Sequence, residues 1–271
     1  MKRRQLIGLS LLVLTATLST VGCSQSAMIP LSADADGTIA APVELTISVA
    51  ASVQDAMTDI QVAYEAENPD VQLIYNFGSS GSLTQQIYQG APADVFLSAS
   101  QKWIDDLENK GQLLEASRRD LLLNSLVLVV PPDRTDITGF SDFTSDRITR
   151  IAIGEPDSVP AGEYAKASLT ALNLFDLLQP KLVFGKDVRQ VLSYVETGNV
   201  DAGLIYATDA AVSERVRVVA TADPDTHGPI VYPVGIVADS DQIEAAESFV
   251  AFLSSDRATE IFEHYGFEMA D

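Results

Sequence analysis

The sequence predicts an α/β chain folded as two lobes. Three observations predict it. Stretches with every second residue apolar alternate with stretches whose apolar residues recur every three or four. The alternation halts at Pro131–Pro132 and then restarts. The folding part of the chain, roughly 230 residues, is long for one open sheet and suits two lobes of roughly 100–120 residues. One large doubly wound domain is the alternative.

Each element follows in order. Residues 1–4, MKRR, are cationic; Leu6–Val21 is almost wholly apolar; Gly22–Cys23 follows. A charged head, a short apolar run and a small residue at the break predict an export signal over 1–22, with an uncut membrane anchor as the alternative. Residues 24–43 have no period and bear proline, which predicts a flexible tether. ELTISVAAS alternates as a strand, and VQDAMTDIQVAYEAE has helical spacing that Asn68–Pro69 stops. VQLIYNF is a strand, SLTQQIYQG a short helix starting near Leu83, ADVFLSAS a buried strand and QKWIDDLENKG a helix. NSLVLVVPP reads as one strand running into the double proline.

Beyond the prolines the pattern repeats. ITRIAIGEP is a strand, AGEYAKASLTALNL a helix, PKLVFGK a strand and VRQVLSYVETGN a helix. AGLIYATDA is a strand ending in a turn, RVRVVAT and IVYPVGIV are strands, and DQIEAAESFVAFLSSDRATEIFEHYGF holds one or two closing helices. Strands alternating with helices predict largely parallel sheets.

Composition excludes several functions. The chain carries 38 acidic and 17 basic side chains, a formal charge of −21. Loss of residues 1–22 removes Lys2, Arg3 and Arg4 and no acid, leaving −24. Such a surface repels nucleic acid and anionic lipid headgroups. Cys23 is the sole cysteine, so no intrachain disulfide exists. No His/Cys cluster points to zinc or iron, and no GKS or GKT marks a nucleotide loop. His227 falls in a predicted surface loop and His264 in the last helix, neither beside a catalytic partner.

The informative residues lie where strands hand over to helices. Ser52 with Asp55, Ser82 with Gln85, and Asp187 with Gln190 have the spacing of a capping box. VPAGEYAK places proline at a fourth helix start. Helix starts carry unpaired N–H groups and partial positive charge, so they hold anions without lysine. Tyr206, at a strand end, adds a phenol donor. Gly78–Ser82 stands out, because a cap needs one hydroxyl and this loop offers three. The competing reading is that each of these residues only steadies its own helix. A second competitor takes GSSGS as a serine-hydrolase elbow built on Ser80, although Ser82 stands where that motif has glycine.

The run AASVQDAM, FGSSGSLTQQI, GAPADVFLSAS, NSLVLVV, VPAGEYAK, DVRQVL, GLIYATDA and YGF resembles the periplasmic molybdate-binding proteins of ABC transporters, from about Leu45 to Phe267. The resemblance implies the type II periplasmic binding fold, with lobe one over 44–128 and 233–271 and lobe two over 129–232. Crossings would fall near Val127–Pro131 and Val231–Gly235. It implies ligand contacts at Ser52 and Ser80 through hydroxyl and N–H, at Ala161 and Val188 through N–H, and at Tyr206 through its phenol. It implies no enzyme activity and no cofactor. The ligand would be molybdate, with tungstate also accepted; the partner, a membrane permease; the form, a monomer. Sulfate, thiosulfate or a ferric complex are the rival ligands. STVGC resembles a lipobox, which implies lipidation of Cys23 and an extracytoplasmic tether over 23–43; a freely periplasmic form is the alternative.

Overall fold

Val43–Ala50 (β1) buries Leu45, Ile47 and Val49 completely, as its alternation predicts. Ser48 is buried as well, because neighbouring strands and helices cover both faces of this strand. The computed structural model describes residues 42–270. The expected signal segment, Cys23 and nearly all of the expected tether lie outside them. Among the described residues, no helix is long and apolar enough to cross a membrane.

A 3-10 turn over Ala51–Val53 leads into Gln54–Glu67 (α1). Then come Val71–Gly78 (β2), Ser80–Tyr88 (α2), Val95–Leu97 (β3), Gln101–Asn109 (α3) and Arg119–Asn124 (β4). Leu126–Val130 (β5), Ile151–Gly154 (β6), Pro160–Ala171 (α4), Phe175–Leu178 (α5) and Leu182–Gly185 (β7) follow. Val188–Glu196 (α6), Ala202–Tyr206 (β8), Ala207–Ala211 (α7) and Arg217–Thr221 (β9) complete the second run. The chain closes with Ile230–Ile236 (β10), Ile243–Phe252 (α8), Asp256–His264 (α9) and Glu268–Met269 (β11).

Two sheets result. One has the order β11-β4-β10-β3-β1-β2 and the other β7-β6-β8-β5-β9. Both are mixed, which corrects the expectation of largely parallel sheets. β1 pairs in parallel with β2 and β3, and β6 with β7 and β8. β10 runs antiparallel to β3 and β4, and β5 antiparallel to β8 and β9. Each passage between sheets joins strands with antiparallel pairings, and the closing strand β11 also pairs antiparallel with β4.

The stretch from Asn124 to Pro132 is not one strand. β4 ends at Asn124 in the first sheet, and β5 begins at Leu126 in the second, with Ser125 between them. The chain returns between Thr221 and Ile230. β5 is buried at every position, and its apolar run extends back into Leu121–Leu123, so no polar residue but Asn124–Ser125 marks the change.

Apolar residues from both sheets join in one buried cluster. A smaller one gathers Leu83, Phe96, Trp103, Ile104 and Leu107 beneath α2 and α3. Burying each such side chain contributes about 1.5–3 kcal/mol. These clusters hold α2, α4 and α6 with their N-termini at the strand ends.

An oxyanion-sized pocket between the two sheets

Ser52, Ser80, Ala161, Val188 and Tyr206 line one pocket. Its free space is about 210 Å³, counting the open mouth. Ala50–Ser52, Gly78–Ser80 and Ala99 come from elements of the first sheet. Val159–Ala161, Asp187, Val188 and Tyr206 come from the second. Among the described residues, no lysine, arginine or histidine lines it.

Local chemistry sets each donor. Ser79, not Ser82, caps α2: its Oγ accepts from the Ser82 N–H at 3.4 Å, and the helix begins at Ser80 rather than Leu83. Ser80 therefore occupies the first helical position, where its N–H has no intrahelical acceptor. Its Oγ accepts from the Ala99 N–H at 2.9 Å, which leaves its own hydrogen free for the pocket. The expected Ser82–Gln85 box does not form.

Ser52 is not a cap either, and its expected box with Asp55 is absent. It sits inside the 3-10 turn, and no side chain caps either that turn or α1. Its Oγ instead meets Tyr232 Oη at 2.9 Å, 180 residues along the chain. A buried serine that caps nothing is free to serve a ligand.

Pro160 opens α4. It has no N–H, so Ala161 supplies the first backbone donor of that helix. Gly162 lets α4 come this close: a Cβ there would lie 2.0 Å from the Gly154 carbonyl oxygen at the end of β6. Asp187 caps α6 by accepting from the Gln190 N–H at 2.8 Å, as its spacing predicts. The Gln190 side chain reaches back to the Lys186 N–H at 2.8 Å, one residue earlier than a capping box requires. The Asp187 carboxylate is thus turned onto its own helix, and Val188 is the first helical residue.

Tyr206 ends β8 and is 1 % exposed. Its Oη has no hydrogen-bond partner among the described residues. Burial pushes its phenol well above the usual tyrosine range, so it stays a neutral donor. The ring packs edge-on against Tyr232 at 5.6 Å, and Tyr232 packs edge-on against Phe267 at 5.6 Å.

Contacts from Gly81, Arg189 and Lys102 join the two sides of the pocket. The Gly81 N–H donates to the Ser158 carbonyl at 3.0 Å. Arg189 of α6 pairs with Asp55 of α1 at 2.5 Å and donates to the Ser52 carbonyl at 3.4 Å. Lys102 lies 3.8 Å from Glu163. Arg189 also lies 2.7 Å from Asp209, which is fully buried. Burial pushes the Asp209 carboxyl up to about 7, and the Arg189 charge opposes that rise. Arg189 thus stands behind Ser52 with carboxylates on two sides, outside the pocket lining. Sequence reasoning overlooked Tyr232, Asn124, Gly81 and Arg189. Gly81 lay inside the loop singled out; the others act through contacts no local spacing reveals.

His227 packs edge-on to Tyr164, and His264 to Tyr265. Neither histidine lines the pocket, so neither can serve Ser80 there as a general base.

Comparison with known proteins agrees. Residues 45–268 match the model of the bacterial extracellular solute-binding protein family. The chain is 48 % identical to YvgL of Bacillus subtilis (strain 168), a candidate ABC transporter substrate-binding lipoprotein, over 94 % of this chain and 95 % of that protein. It is 40 % identical to the molybdate-binding protein ModA of Escherichia coli (strain K12), over 83 % of this chain and 88 % of that protein. The solved structure of the periplasmic molybdate-binding protein of Azotobacter vinelandii superposes with a TM-score of 0.76 at 25 % identity, covering 84 % of this chain and all of the other. The fold is the two-sheet α/β fold of type II periplasmic binding proteins. The chain belongs to the bacterial extracellular solute-binding protein family, whose members capture solutes outside the cytoplasm and are not enzymes.

Proposed function

We propose that this protein captures molybdate, and tungstate with it, between two lobes and hands it to the permease of an ABC transporter. The observation that carries the reading is the gathering of Ser52, Ser80, Ala161, Val188 and Tyr206 around one pocket without a cation. Molybdate is a tetrahedral dianion whose oxygens only accept. Hydroxyls that already accept one hydrogen bond, N–H groups at helix starts and a phenol with no partner among the described residues can all donate to it. Each hydrogen bond to a charged group contributes roughly 1.5–3 kcal/mol. About six such bonds exceed the roughly 8–12 kcal/mol of a micromolar to nanomolar affinity, and the excess offsets dehydration and closure. The kinship with the Escherichia coli and Azotobacter vinelandii proteins supports the same ligand.

Lobe one would hold the first sheet and lobe two the second, hinged at Ser125 and within 222–229. These hinges lie a few residues before the 128/129 and 232/233 divisions implied by the family resemblance. Closure traps the ion and shapes the face that a permease reads. Cys23 would carry a lipid that tethers a monomer outside the cell membrane, a reading supported by the lipoprotein relative in Bacillus subtilis.

Titration calorimetry with molybdate, tungstate, sulfate and phosphate tests the ligand. Molybdate and tungstate should bind at least about a hundredfold tighter than the others, a difference of roughly 2.7 kcal/mol. Tightest binding of sulfate or phosphate sinks the assignment. Phosphate keeps a proton near neutral pH, and a pocket lined mainly by donors pairs that proton poorly.

A further inference from the structure

Ser52 ends a chain of hydrogen bonds whose first links have a set direction. The Ser125 backbone N–H can only donate, and it donates to Asn124 Oδ1 at 2.9 Å. That sets the amide of Asn124 with its NH₂ facing the other way. The NH₂ donates to Thr208 Oγ1 at 2.9 Å and to Tyr232 Oη at 3.2 Å. Tyr232 Oη also lies 2.9 Å from Ser52 Oγ, a contact in which either oxygen can donate. With the Asn124 NH₂ already directed at the phenol oxygen, the phenol hydrogen is available to Ser52. Ser52 Oγ, receiving that hydrogen, turns its own hydrogen elsewhere, and it lines the pocket. The rings of Tyr206 and Phe267 on either side of Tyr232 hold the phenol in place.

We propose that Tyr232, oriented by Asn124, is a positioning and specificity residue: it fixes the Ser52 hydroxyl as a donor to the bound anion and so selects against anions that carry a proton. The proposal rests on the reading of the pocket as an oxyanion site. Ser80 is fixed the same way by the Ala99 N–H, but through backbone that substitution cannot remove. Tyr232 is the member of this pair of relays that a point change can break. Its phenol is driven well above the usual range by burial, so the relay stays intact across neutral pH. Asn124 and Ser125 lie at the passage between the sheets, and Thr208 follows the strand of Tyr206, so the relay spans both sides of the pocket.

The test is a double-mutant cycle on the full chain, read by calorimetry with molybdate and, by competition, with phosphate. Tyr232→Phe should weaken molybdate binding about three- to tenfold, the worth of one hydrogen bond. In a Ser52→Ala background the same change should have no effect on binding. Phosphate should weaken less than molybdate or gain, because the freed Ser52 oxygen can accept its proton. Equal losses in both backgrounds, equal losses for both anions, or no loss of molybdate affinity would each overturn the proposal. Ligand-free melting temperature reports whether the variant folds. If Tyr232→Phe does not, Asn124→Asp reverses the relay by accepting from Tyr232. It should weaken molybdate in the wild-type background and spare it in Ser52→Ala, whereas a through-space charge effect would persist in both. A wild-type chain that takes sulfate or phosphate instead of molybdate overturns the ligand assignment, and the cycle is then read on that anion. A chain binding none of the four overturns both.

Discussion

Single residues carry the binding chemistry. Tyr206 has a buried phenol with no hydrogen-bond partner among the described residues, a cost of about 1–3 kcal/mol that a ligand or solvent can offset. Tyr206→Phe should lower molybdate affinity by about ten- to a hundredfold and leave the ligand-free fold at least as stable. Because burial holds its proton firmly, wild-type affinity should stay flat from pH 6 to pH 9 as far as this group is concerned. Calorimetry across that range checks both; a Tyr206→Phe variant that binds as well as wild type removes the phenol from the site. All five of these pocket-lining residues were legible in the sequence, since strand-to-helix handovers and the family resemblance pointed to them. Their local roles were less so. Ser52 has cap spacing to Asp55, yet its hydroxyl is taken by Tyr232 from the far end of the chain. Spacing of three residues occurs twice within Ser79–Gln85, and only packing selects Ser79 as the cap.

Elements supply the geometry. Helices α2, α4 and α6 aim their first turns at one point because each follows a strand of a sheet that ends there. That convergence was readable from alternation alone. The missed elements, β4, α5 and β11, are short or polar at their ends, and their pairing is long-range: β4 lies between β10 and β11. Gly81 ties α2 to the opposite side. A Cβ there would lie 2.6 Å from the Ser158 carbonyl oxygen and 2.7 Å from Trp103 Cζ2. Alanine would favour the helix by about 0.5–1 kcal/mol, so any harm comes from that close approach. Gly81→Ala should therefore bind molybdate at least about tenfold more weakly, a loss of roughly 1.4 kcal/mol. Small-angle scattering should show less compaction on ligand addition than in wild type. Wild-type affinity and compaction would show that the approach is not needed.

At the scale of the molecule, the proposed function asks an acidic chain to hold an anion. The formal charge of −21 does not contradict the site, because the pocket draws on neutral dipoles aimed inward, and the nearby cation Arg189 is flanked by Asp55 and Asp209. Acidity also leaves the pocket without the general attraction that a lysine-lined cleft would exert on every anion, which favours selection by shape and protonation. The mixed sheets, where largely parallel ones were expected, follow from the two passages between lobes: β5 and β10 enter each sheet against the direction of its β-α-β run. The most direct measurement locates the ion itself. A crystal grown with molybdate, with molybdenum placed by its anomalous scattering, should show the metal between the sheets, its oxygens within hydrogen-bond reach of the Ser52, Ser80 and Tyr206 hydroxyls and the Ala161 and Val188 N–H groups. Molybdenum at any other place on the chain, or a lysine or arginine contacting it in that pocket, would contradict the account.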